Sequence, residues 1–563
     1  MKKFYLAFYI VFFTLIIDSV FAAEQIPDTA DFWSNYPSSE LSAALVERMN
    51  DEELLAQIFM FGWAGQEPSL QLMRWVEERG LGSVKVFGWN TENLEQVAKS
   101  ITILQQKSQN RRFRIPLFVA TDQEGGWIRH VKGETSVTPG NLAVGASGLA
   151  YDAYWSGYYI NKEIAALGIN MNFAPTVDLF TDKNSSIIGS RSFGEDPEEA
   201  GVLGASFAAG SLDAGVIPTA KHFPGHGDTS LDSHGRLPMI DISRNTLNTR
   251  ELVPFKYLIA SKIPAIMSGH LLFPQIEDEG APASLSKKIL TGILRGELGY
   301  SGLIITDDMQ MHGAISYAGT ESKSYQLAIE AGNDILISSK CASLDAGLWT
   351  HNLALMGEDE NFRNIVKTAA RRVIYYKMEY FKNSKHVELY PDSSKIAQKI
   401  PDPDGEKFFL DQACRSITMY KKGAIPISPS RSSKILLLGQ FYDFFEEGRR
   451  RYPNAHFFRF NHNFGDNELE WLRDNLPAQL EGIDTVIVGV ASDDRSNQIA
   501  EFLRPYGKKV IIISIMSPVP VLNFSWADTI LLGYSYSPYT FRALFAVLAG
   551  DFVPEGIMPL YRN

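Results

Sequence analysis

A short polar segment, KHFPGHGDTSLDSH (residues 221–234), holds several groups able to move protons. An imidazole with its ordinary pKa of about 6.5 both donates and accepts protons at neutral pH, and a neighbouring carboxylate orients it. Taken alone, Lys221 is explained by solvation and His222 by a hydrogen-bonded place in the core. The glycines and proline favour a functional loop, because such backbone turns tightly and brings polar groups into a small volume.

The same segment contains residue types that bind hydrolytic metals, but their spacing argues against a metal site. The residues of these types are His222, His226, Asp228, Asp232 and His234. Pro224 and Gly225 separate the first two histidines, so these cannot form a pair at i and i+4 on one helix face. The chain has no HExxH motif, no GxxxxGK[ST] and no GxGxxG after a strand. We therefore expect neither a metal nor a cofactor.

The elements that must position this segment follow a repeating pattern between about residues 40 and 385. Short apolar runs alternate with helical patterns such as Thr91–Lys107 and Asn364–Phe381. The eight predicted strands are Gln57–Phe61, Ser83–Phe87, Leu117–Thr121, Asn170–Phe173, Thr219–Phe223, Ala265–Ser268, Leu303–Thr306 and Asp334–Ile337. This βα repeat predicts an α/β fold with a parallel (β/α)8-type barrel.

Polar residues follow five successive predicted strands, where the βα loops of such a barrel carry the chemistry. Besides residues 221–234, they are Asp122, Glu124 and Arg129 after the third strand, Asp178 and Arg191 after the fourth, His270 after the sixth, and Asp307 and Asp308 after the seventh. Singly, Asp122, Asp178 and Asp307 are also explained as helix N-caps, and His270 as a core histidine. A purely structural barrel would not need charged or imidazole groups at five strand ends, so the set indicates an active site.

Composition narrows the class of protein. The chain has 563 residues, 45% of them hydrophobic and 21% charged, which excludes a disordered protein. A net charge of −12 without a basic block argues against nucleic acid and anionic membranes as partners. Residues 1–23 have the charged start, short apolar run and small-residue end of a secretory signal, with an uncleaved anchor as the alternative. We expect an exported protein, periplasmic or extracellular, with no transmembrane segment after signal cleavage.

A change of composition divides the chain. Residues 24–385 form the predicted barrel, polar residues 386–406 with three prolines a linker, and residues 407–563 a smaller α/β layered (sandwich) domain. The predicted strands of this domain are Lys434–Leu438, Asp484–Val490, Lys509–Ile515 and Asp528–Leu532. They are near-continuous apolar runs, as in strands covered on both faces. Two cysteines, Cys341 and Cys414, are too few for a disulfide framework, and we expect reduced, buried thiols.

Four motifs, in this order, resemble family 3 of the glycoside hydrolases. They are DQEGGWIR (122–129), IGSRSFGEDP (188–197), KHFPGHGDTSLDSH (221–234) and GLIITDDMQMHGA (302–314). The similarity is strongest to the bacterial β-N-acetylglucosaminidase branch, whose distinguishing part is the histidine loop. GDFVPEGIMPL near the end of the chain also resembles the end of that family's second domain.

The resemblance implies a role for each matching residue. Asp307 would be the nucleophile, and His234 with Asp232 the general acid/base dyad. The residues implied to bind sugar hydroxyls are Asp122, Arg129, Arg191, Lys221 and His222. Trp127, His130 and His312 depart from the family pattern, so the resemblance implies the reaction but not the fine specificity. Trp127 would either stack on a sugar face or shield the site.

The implied activity is that of a retaining exo-β-N-acetylglucosaminidase. It would remove terminal β-GlcNAc from peptidoglycan-derived (muropeptide) or chitin-type oligosaccharides, which are the expected partner. A neutral imidazole leaves the loop less anionic, so phosphate is a second possible nucleophile. The alternatives are a β-glucosidase or another exo-glycosidase of the family and, from a different class, a catalytically silent carbohydrate-binding protein.

Overall fold

The structure, a computed structural model, describes residues 26–561 except 186, 230–236, 424, 463, 492 and 493. The predicted signal segment, residues 1–23, lies outside the described residues. So do Asp232 and His234.

Eight parallel strands form a closed barrel, as the sequence predicts. The strands of the N-terminal part are β1 Phe59–Phe61, β2 Ser83–Lys85, β3 Phe118–Thr121, β4 Gln123–Gly125, β5 Ile128–Arg129, β6 Met171–Asn172, β7 Ile217–Phe223, β8 Ala265–Ser268, β9 Leu303–Asp308 and β10 Ile335–Ser338. The barrel order is β1-β2-β3-β6-β7-β8-β9-β10, closed by pairing of β10 with β1, where Phe59 lies opposite Leu336. The remaining two strands, β4 and β5, form a small antiparallel hairpin directly after β3.

Helices connect the barrel strands and cover the outside. The α-helices are α1 Ser38–Arg48, α2 Asp51–Gln57, α3 Leu70–Arg74, α4 Leu94–Gln109, α5 Asn141–Ser147, α6 Ala150–Ala166, α7 Pro197–Asp213, α8 Arg244–Thr246, α9 Leu252–Ala260, α10 His312–Ala318, α11 Glu321–Ala331, α12 Gly347–Glu358 and α13 Glu360–Phe381. Wider π-helical turns occupy Trp75–Arg79, Leu247–Glu251 and Lys288–Glu297, and 3-10 turns occupy Gly88–Asn90, Gly189–Arg191 and Ala283–Leu285.

Side-chain caps explain where the two predicted helices begin. Helix α4 starts at Leu94, three residues after the predicted start, because the side chain of Asn93 accepts the Gln96 N–H at 3.1 Å. Helix α13 starts at Glu360, four residues before the predicted start, because the Asp359 carboxylate accepts the Asn361 N–H at 2.8 Å. The apolar stripe of each helix then packs against the barrel.

A six-stranded sheet forms the core of the C-terminal part. Its strands are β11 Thr418–Lys421, β12 Ile435–Gly439, β13 His456–Arg459, β14 Thr485–Val490, β15 Lys509–Ser514 and β16 Thr529–Leu532, in the order β11-β16-β15-β14-β12-β13. Only β11 is antiparallel to its neighbour. The helices here are α14 Ile396–Lys399, α15 Pro403–Ser416, α16 Tyr442–Arg451, α17 Asp466–Gln479, α18 Asp494–Phe502 and α19 Pro538–Ala549, with 3-10 turns at Ser393–Lys395, Pro429–Lys434, Arg504–Tyr506 and Val519–Asn523.

The four predicted strands of this sheet correspond to β12, β14, β15 and β16, whereas the sequence prediction misses both edge strands. Of the four residues of strand β13 only Phe458 is buried, so the strand lacks the continuous apolar run used to find the others. The predicted linker 386–406 is also partly helical. Asp402 caps α15 by accepting the Gly405 N–H at 2.9 Å, and Pro403 occupies the first helical position, so this proline starts a helix.

Contacts between the barrel and the C-terminal sheet fix the loop that follows the β4–β5 hairpin. The Ser535 hydroxyl donates to the Thr138 carbonyl at 3.4 Å, and the Ile557 N–H donates to the Ala146 carbonyl at 2.9 Å. Apolar residues of α5 belong to the same buried cluster as one face of the sheet. The C-terminal sheet therefore packs against one side of the barrel mouth.

Two further observations concern the cysteines and the helices. Cys341 and Cys414 are free thiols, but each is only partly buried, and burial raises the pKa of Cys341 to about 11. The thiols are thus free as expected, but they are less buried than expected. Over the described ranges, every helix is too short or too polar to span a bilayer.

Candidate active site

Asp122, directly after β3, binds two lysines at the barrel mouth. One carboxylate oxygen lies 2.6 Å from Lys221 Nζ and the other lies 2.7 Å from Lys85 Nζ, while His130 Nδ1 is 3.6 Å away. Burial acts to raise the pKa of Asp122, but the positive charges of Lys221 and Lys85 hold it well below its usual range. Asp122 is therefore an ionised acceptor in a fixed position.

Lys221 connects this carboxylate to a second one. Its Nζ also lies 2.7 Å from Glu124 Oε1, and its side chain is 2% exposed. Arg191 binds Glu124 through two nitrogens, at 2.7 and 2.9 Å. Burial acts to raise the pKa of Glu124, but Arg191 and Lys221 lower it to about 2. Glu124 is consequently a poor proton donor at neutral pH, which disfavours it as a substitute for the general acid.

Asp178, after β6, holds His222 of the polar segment. Its Oδ2 lies 2.6 Å from His222 Nδ1, and its Oδ1 accepts the His226 N–H at 2.7 Å. This pairing places the proton of a neutral His222 on Nδ1 and leaves Nε2 for another partner. Burial lowers the pKa of His226 to about 4, and within the described part of the chain its two ring nitrogens have no hydrogen-bond partner.

Asp307 lies near the end of β9 and is partly exposed at the mouth of the barrel. Its Oδ1 accepts the N–H of Asp308 at 2.8 Å. Burial acts to raise the pKa of Asp307, but the charges of His222 and His270 and this N–H hold it below its usual range. An ionised carboxylate with an accessible face suits a nucleophile.

The neighbouring Asp308 and His270 have structural contacts. The Asp308 carboxylate accepts the N–H groups of Gln310 and Ser339, each at 3.0 Å. His270 Nε2 lies 3.0 Å from the Asp308 carbonyl, and its Nδ1 lies 2.6 Å from Ser284 Oγ. His270 therefore fixes the backbone that carries both carboxylates.

Arg129 lies on the β4–β5 hairpin and contacts the loop after β5, against which the C-terminal sheet packs. Its Nη1 donates to Thr135 Oγ1 at 3.0 Å, and its charge interacts with Tyr536 and Glu163. Trp127, in the turn of the same hairpin, is 37% exposed. The structure thus leaves Trp127 available to solvent or a ligand.

Most of the residues selected from sequence come together. Asp122, Lys221 and His222 form one connected group with Asp307, and Arg191 joins it through Glu124. Asp122, Asp178 and Asp307 all bind the groups given above, so the N-cap explanation is not needed for any of them. Lys85 was missed. Lys85 lies inside the predicted strand Ser83–Phe87, whereas the observed strand β2 ends at Lys85, so the strand-end rule used to select the other residues did not include it.

The expected absence of a metal stays a prediction. Within the described ranges, no three His, Cys, Asp or Glu side chains are grouped to hold a metal ion. Two of the five residues considered as ligands, Asp232 and His234, lie outside those ranges.

The fold and this cluster define a closed parallel barrel with ionised carboxylates grouped at its mouth. The family model described as "Glycosyl hydrolase family 3 N terminal domain" matches residues 51–374. Because this match covers more than half of the chain, the protein belongs to glycosyl hydrolase family 3.

Relatives and solved structures agree with this assignment. "Beta-hexosaminidase A" of Pseudoalteromonas piscicida is 36% identical over 284 residues, 47% of this chain and 47% of that protein. "Beta-hexosaminidase" of Tolumonas auensis is 35% identical over 261 residues, 46% of this chain and 75% of that protein. A family 3 β-N-acetylglucosaminidase from Paenibacillus sp. has a TM-score of 0.80 and 28% identity, covering 91% of this chain and 99% of that one. The chain thus spans about half the length of the first of these relatives.

Proposed function

We propose that the protein is a retaining exo-β-N-acetylglucosaminidase that acts on peptidoglycan-derived or chitin-type oligosaccharides. The observation that carries the proposal is the ionised Asp307 at the barrel mouth, beside a buried set of charged groups suited to sugar hydroxyls. The two relatives are named β-hexosaminidases and the Paenibacillus protein a β-N-acetylglucosaminidase, which supports a β-linked N-acetylglucosamine as the sugar that is released.

In the first step, a carboxylate oxygen of Asp307 attacks the anomeric carbon as the glycosidic bond breaks. The imidazolium of His234 gives its proton to the departing oxygen, and Asp232 orients the ring. The products are a glycosyl ester of Asp307 and the free leaving group. Neutral His234 then removes a proton from water, whose oxygen attacks the same carbon and releases N-acetylglucosamine and Asp307.

The described residues prepare this reaction before substrate arrives. Asp122 offers carboxylate lone pairs to sugar hydroxyls, and Lys221 and Lys85 fix its orientation from both sides. His222, held by Asp178, keeps a positive or strongly polar group near Asp307. Positioned charges of this kind stabilise the transition state because they need no reorganisation during the reaction.

Release of p-nitrophenol from the β-GlcNAc and β-glucoside derivatives tests the activity. We expect release mainly from the first. Preference for the glucoside would support the β-glucosidase alternative, and binding of chitobiose without release from either would support a silent carbohydrate-binding protein. Repeating the reaction in phosphate and identifying the product as N-acetylglucosamine or its 1-phosphate separates hydrolysis from phosphorolysis.

We also propose export from the cytoplasm, on the basis of the sequence pattern of residues 1–23. Expression of the full chain in a bacterial host, followed by N-terminal sequencing of the secreted or periplasmic protein, tests this. We expect a new N-terminus near residue 24. A cell-associated protein that retains residues 1–23 would support the uncleaved anchor instead.

A further inference from the structure

Glu251 is a buried carboxylate that none of the roles given above uses. It ends the π-helical turn Leu247–Glu251, directly before α9, and its side chain is 1% exposed. One oxygen, Oε1, lies 2.6 Å from Nε of the adjacent Arg250. The other, Oε2, has no hydrogen-bond partner among the described residues. Because a buried oxygen without a partner costs stability, folding alone does not explain this residue.

The Glu251 carboxylate packs directly against the backbone of Gly225. A side chain at residue 225 would bring its Cβ to 2.7 Å from Glu251 Oε2, so only glycine allows this approach. The Gly225 N–H donates to the His222 carbonyl at 2.8 Å, which closes the turn after His222. His222 is the residue whose charge helps to lower the pKa of Asp307. The contact with Glu251 therefore fixes the backbone next to a residue of the candidate active site.

Arg250 extends this contact further along the same segment. Its Nη2 lies 2.6 Å from Asp228 Oδ2, while its Nε binds Glu251. The guanidinium thus bridges two carboxylates, which its planar set of donors permits. The π-helical turn therefore holds residues 222–228 at two points, Gly225 and Asp228.

The charge of Glu251 changes close to neutral pH. Burial raises the pKa of this carboxyl to about 7, although the positive charge of Arg250 acts to lower it. Asp178 after β6 and Asp228 after β7 face Glu251 from other elements, and their negative charges raise its pKa further. Once protonated, Glu251 no longer attracts Arg250 as an anion.

We propose that Arg250 and Glu251 are positioning residues, which keep residues 222–228 in the conformation that the structure shows as long as Glu251 is ionised. The inference rests on the proposed function and deepens it, because it adds two residues outside the four motifs to those that control the reaction. When Glu251 gains a proton, Arg250 keeps only its contact with Asp228. The segment then loosens around Gly225, and the rate falls.

Glu251→Gln tests the proposal because glutamine keeps the shape of the side chain and resembles its protonated form. With the β-GlcNAc aryl glycoside, we expect kcat/KM to lie about tenfold below that of the wild type at pH 8. At pH 5.5 the two proteins should agree within about twofold, since Glu251 of the wild type is then protonated. Glu297→Gln, at an exposed acid paired with Arg244, is the matched control and should change neither value.

Measurements of stability and hydrogen exchange separate positioning from folding. Because the pKa of Glu251 lies above its ordinary 4.5, ionisation lowers the stability of the folded state as the pH rises from 4.5 to about 7. Glu251→Gln removes this cost, so at pH 8 its Tm should equal or exceed that of the wild type although its activity is lower. Hydrogen exchange at pH 8 should be faster in the variant within the peptide that contains residues 222–228.

Arg250→Met removes the bridge itself and should lower kcat/KM about tenfold at pH 8. Arg250→Lys should recover only part of this loss, because a single ammonium cannot replace the planar bridge. Equal losses of Glu251→Gln at pH 8 and pH 5.5 would overturn the proposal, as would a lower Tm together with the lower activity. Unchanged activity and unchanged exchange in Glu251→Gln would also overturn it. If the wild-type protein does not cleave the glycoside, the proposed function fails, and the exchange measurement still decides whether Glu251 holds the segment.

Discussion

Asp178 and His222 form a buried pair in which the carboxylate Oδ2 lies 2.6 Å from Nδ1, and the charge of this imidazole acts to lower the pKa of the nucleophile candidate Asp307. The carboxylate also accepts two N–H groups of the same loop. Asp178 is thus a candidate positioning residue, because it holds the imidazole whose charge acts on the nucleophile candidate Asp307.

Asp178→Asn keeps one oxygen that can accept the two backbone N–H groups, but it removes the negative charge and places an amide NH2 opposite His222 Nδ1. Because the charge of His222 helps to lower the pKa of Asp307, the acidic limb of the kcat/KM profile should move to higher pH. The maximum should fall by about ten- to a hundredfold. Asp278→Asn, at an exposed acid paired with Lys288, is the control. A lower rate with an unmoved acidic limb would restrict Asp178 to a structural role.

Substitutions at the adjacent residues Asp307 and Asp308 should have different effects, the first on activity and the second on stability. Asp307→Ala should lose activity by orders of magnitude and remain folded, and a 2-fluoro glycoside should label wild-type Asp307 covalently. Asp308→Asn replaces the charged acceptor of two backbone N–H groups by a neutral one. We expect it to lower the free energy of unfolding by about 1–3 kcal/mol. Mass spectrometry of the labelled peptide decides the first point, and label on Asp308 would contradict it.

Glu124 should contribute stability that depends on pH. Its folded pKa of about 2 lies below the ordinary 4.5, so the contribution is fully present above about pH 4.5 and is lost as the pH falls towards 2. Since the group is buried, the shift corresponds to about 3 kcal/mol. We compare the wild-type protein with Glu124→Gln by denaturant unfolding at pH 7 and pH 3. The substitution should lower the free energy of unfolding more at pH 7 than at pH 3. A difference that does not shrink at pH 3 would contradict this explanation.

The sequence predicts the barrel well because its eight strands are short and almost entirely buried, and most lie in apolar stretches separated by helical patterns. It misses β13 because the exposed edge of a sheet leaves half of its residues polar. It also places the helix starts imprecisely, because Asn93 and Asp359 act as caps through contacts that periodicity does not reveal.

Only part of the candidate site can be predicted from the sequence. Strand ends locate Asp122, Lys221 and Asp307, because parallel strands bring their ends to one mouth. The pairing of Glu124 with Arg191 joins residues far apart in the chain, and no spacing rule specifies it. Lys85 belongs to none of the four recognised motifs, and only its contact with Asp122 reveals its role.

Full activity should survive exhaustive chelation. The expectation rests on Pro224 and Gly225, which separate His222 from His226. It also rests on the hydrogen bond between His222 Nδ1 and Asp178, which occupies that ring nitrogen. Activity on the β-GlcNAc aryl glycoside is measured before and after dialysis against EDTA. If the activity is lost and Zn²⁺ or Mn²⁺ restores it, His222, His226 and Asp228 would have to be assigned as metal ligands.

The role of His234 is tested by a series of leaving groups. If His234 is the general acid, His234→Ala should reduce the hydrolysis of glycosides with poor leaving groups far more than that of activated aryl glycosides, because the latter depart without protonation. Asp232→Ala should follow the same trend more weakly, since the imidazole remains but loses its orienting partner. If His234 only binds a sugar hydroxyl, both substrate types should lose comparable rate. Equal losses across the series would therefore remove His234 from the acid/base role. The pKa of about 2 at Glu124 makes that residue an unsuitable replacement, so the search would turn to a carboxylate of the C-terminal domain.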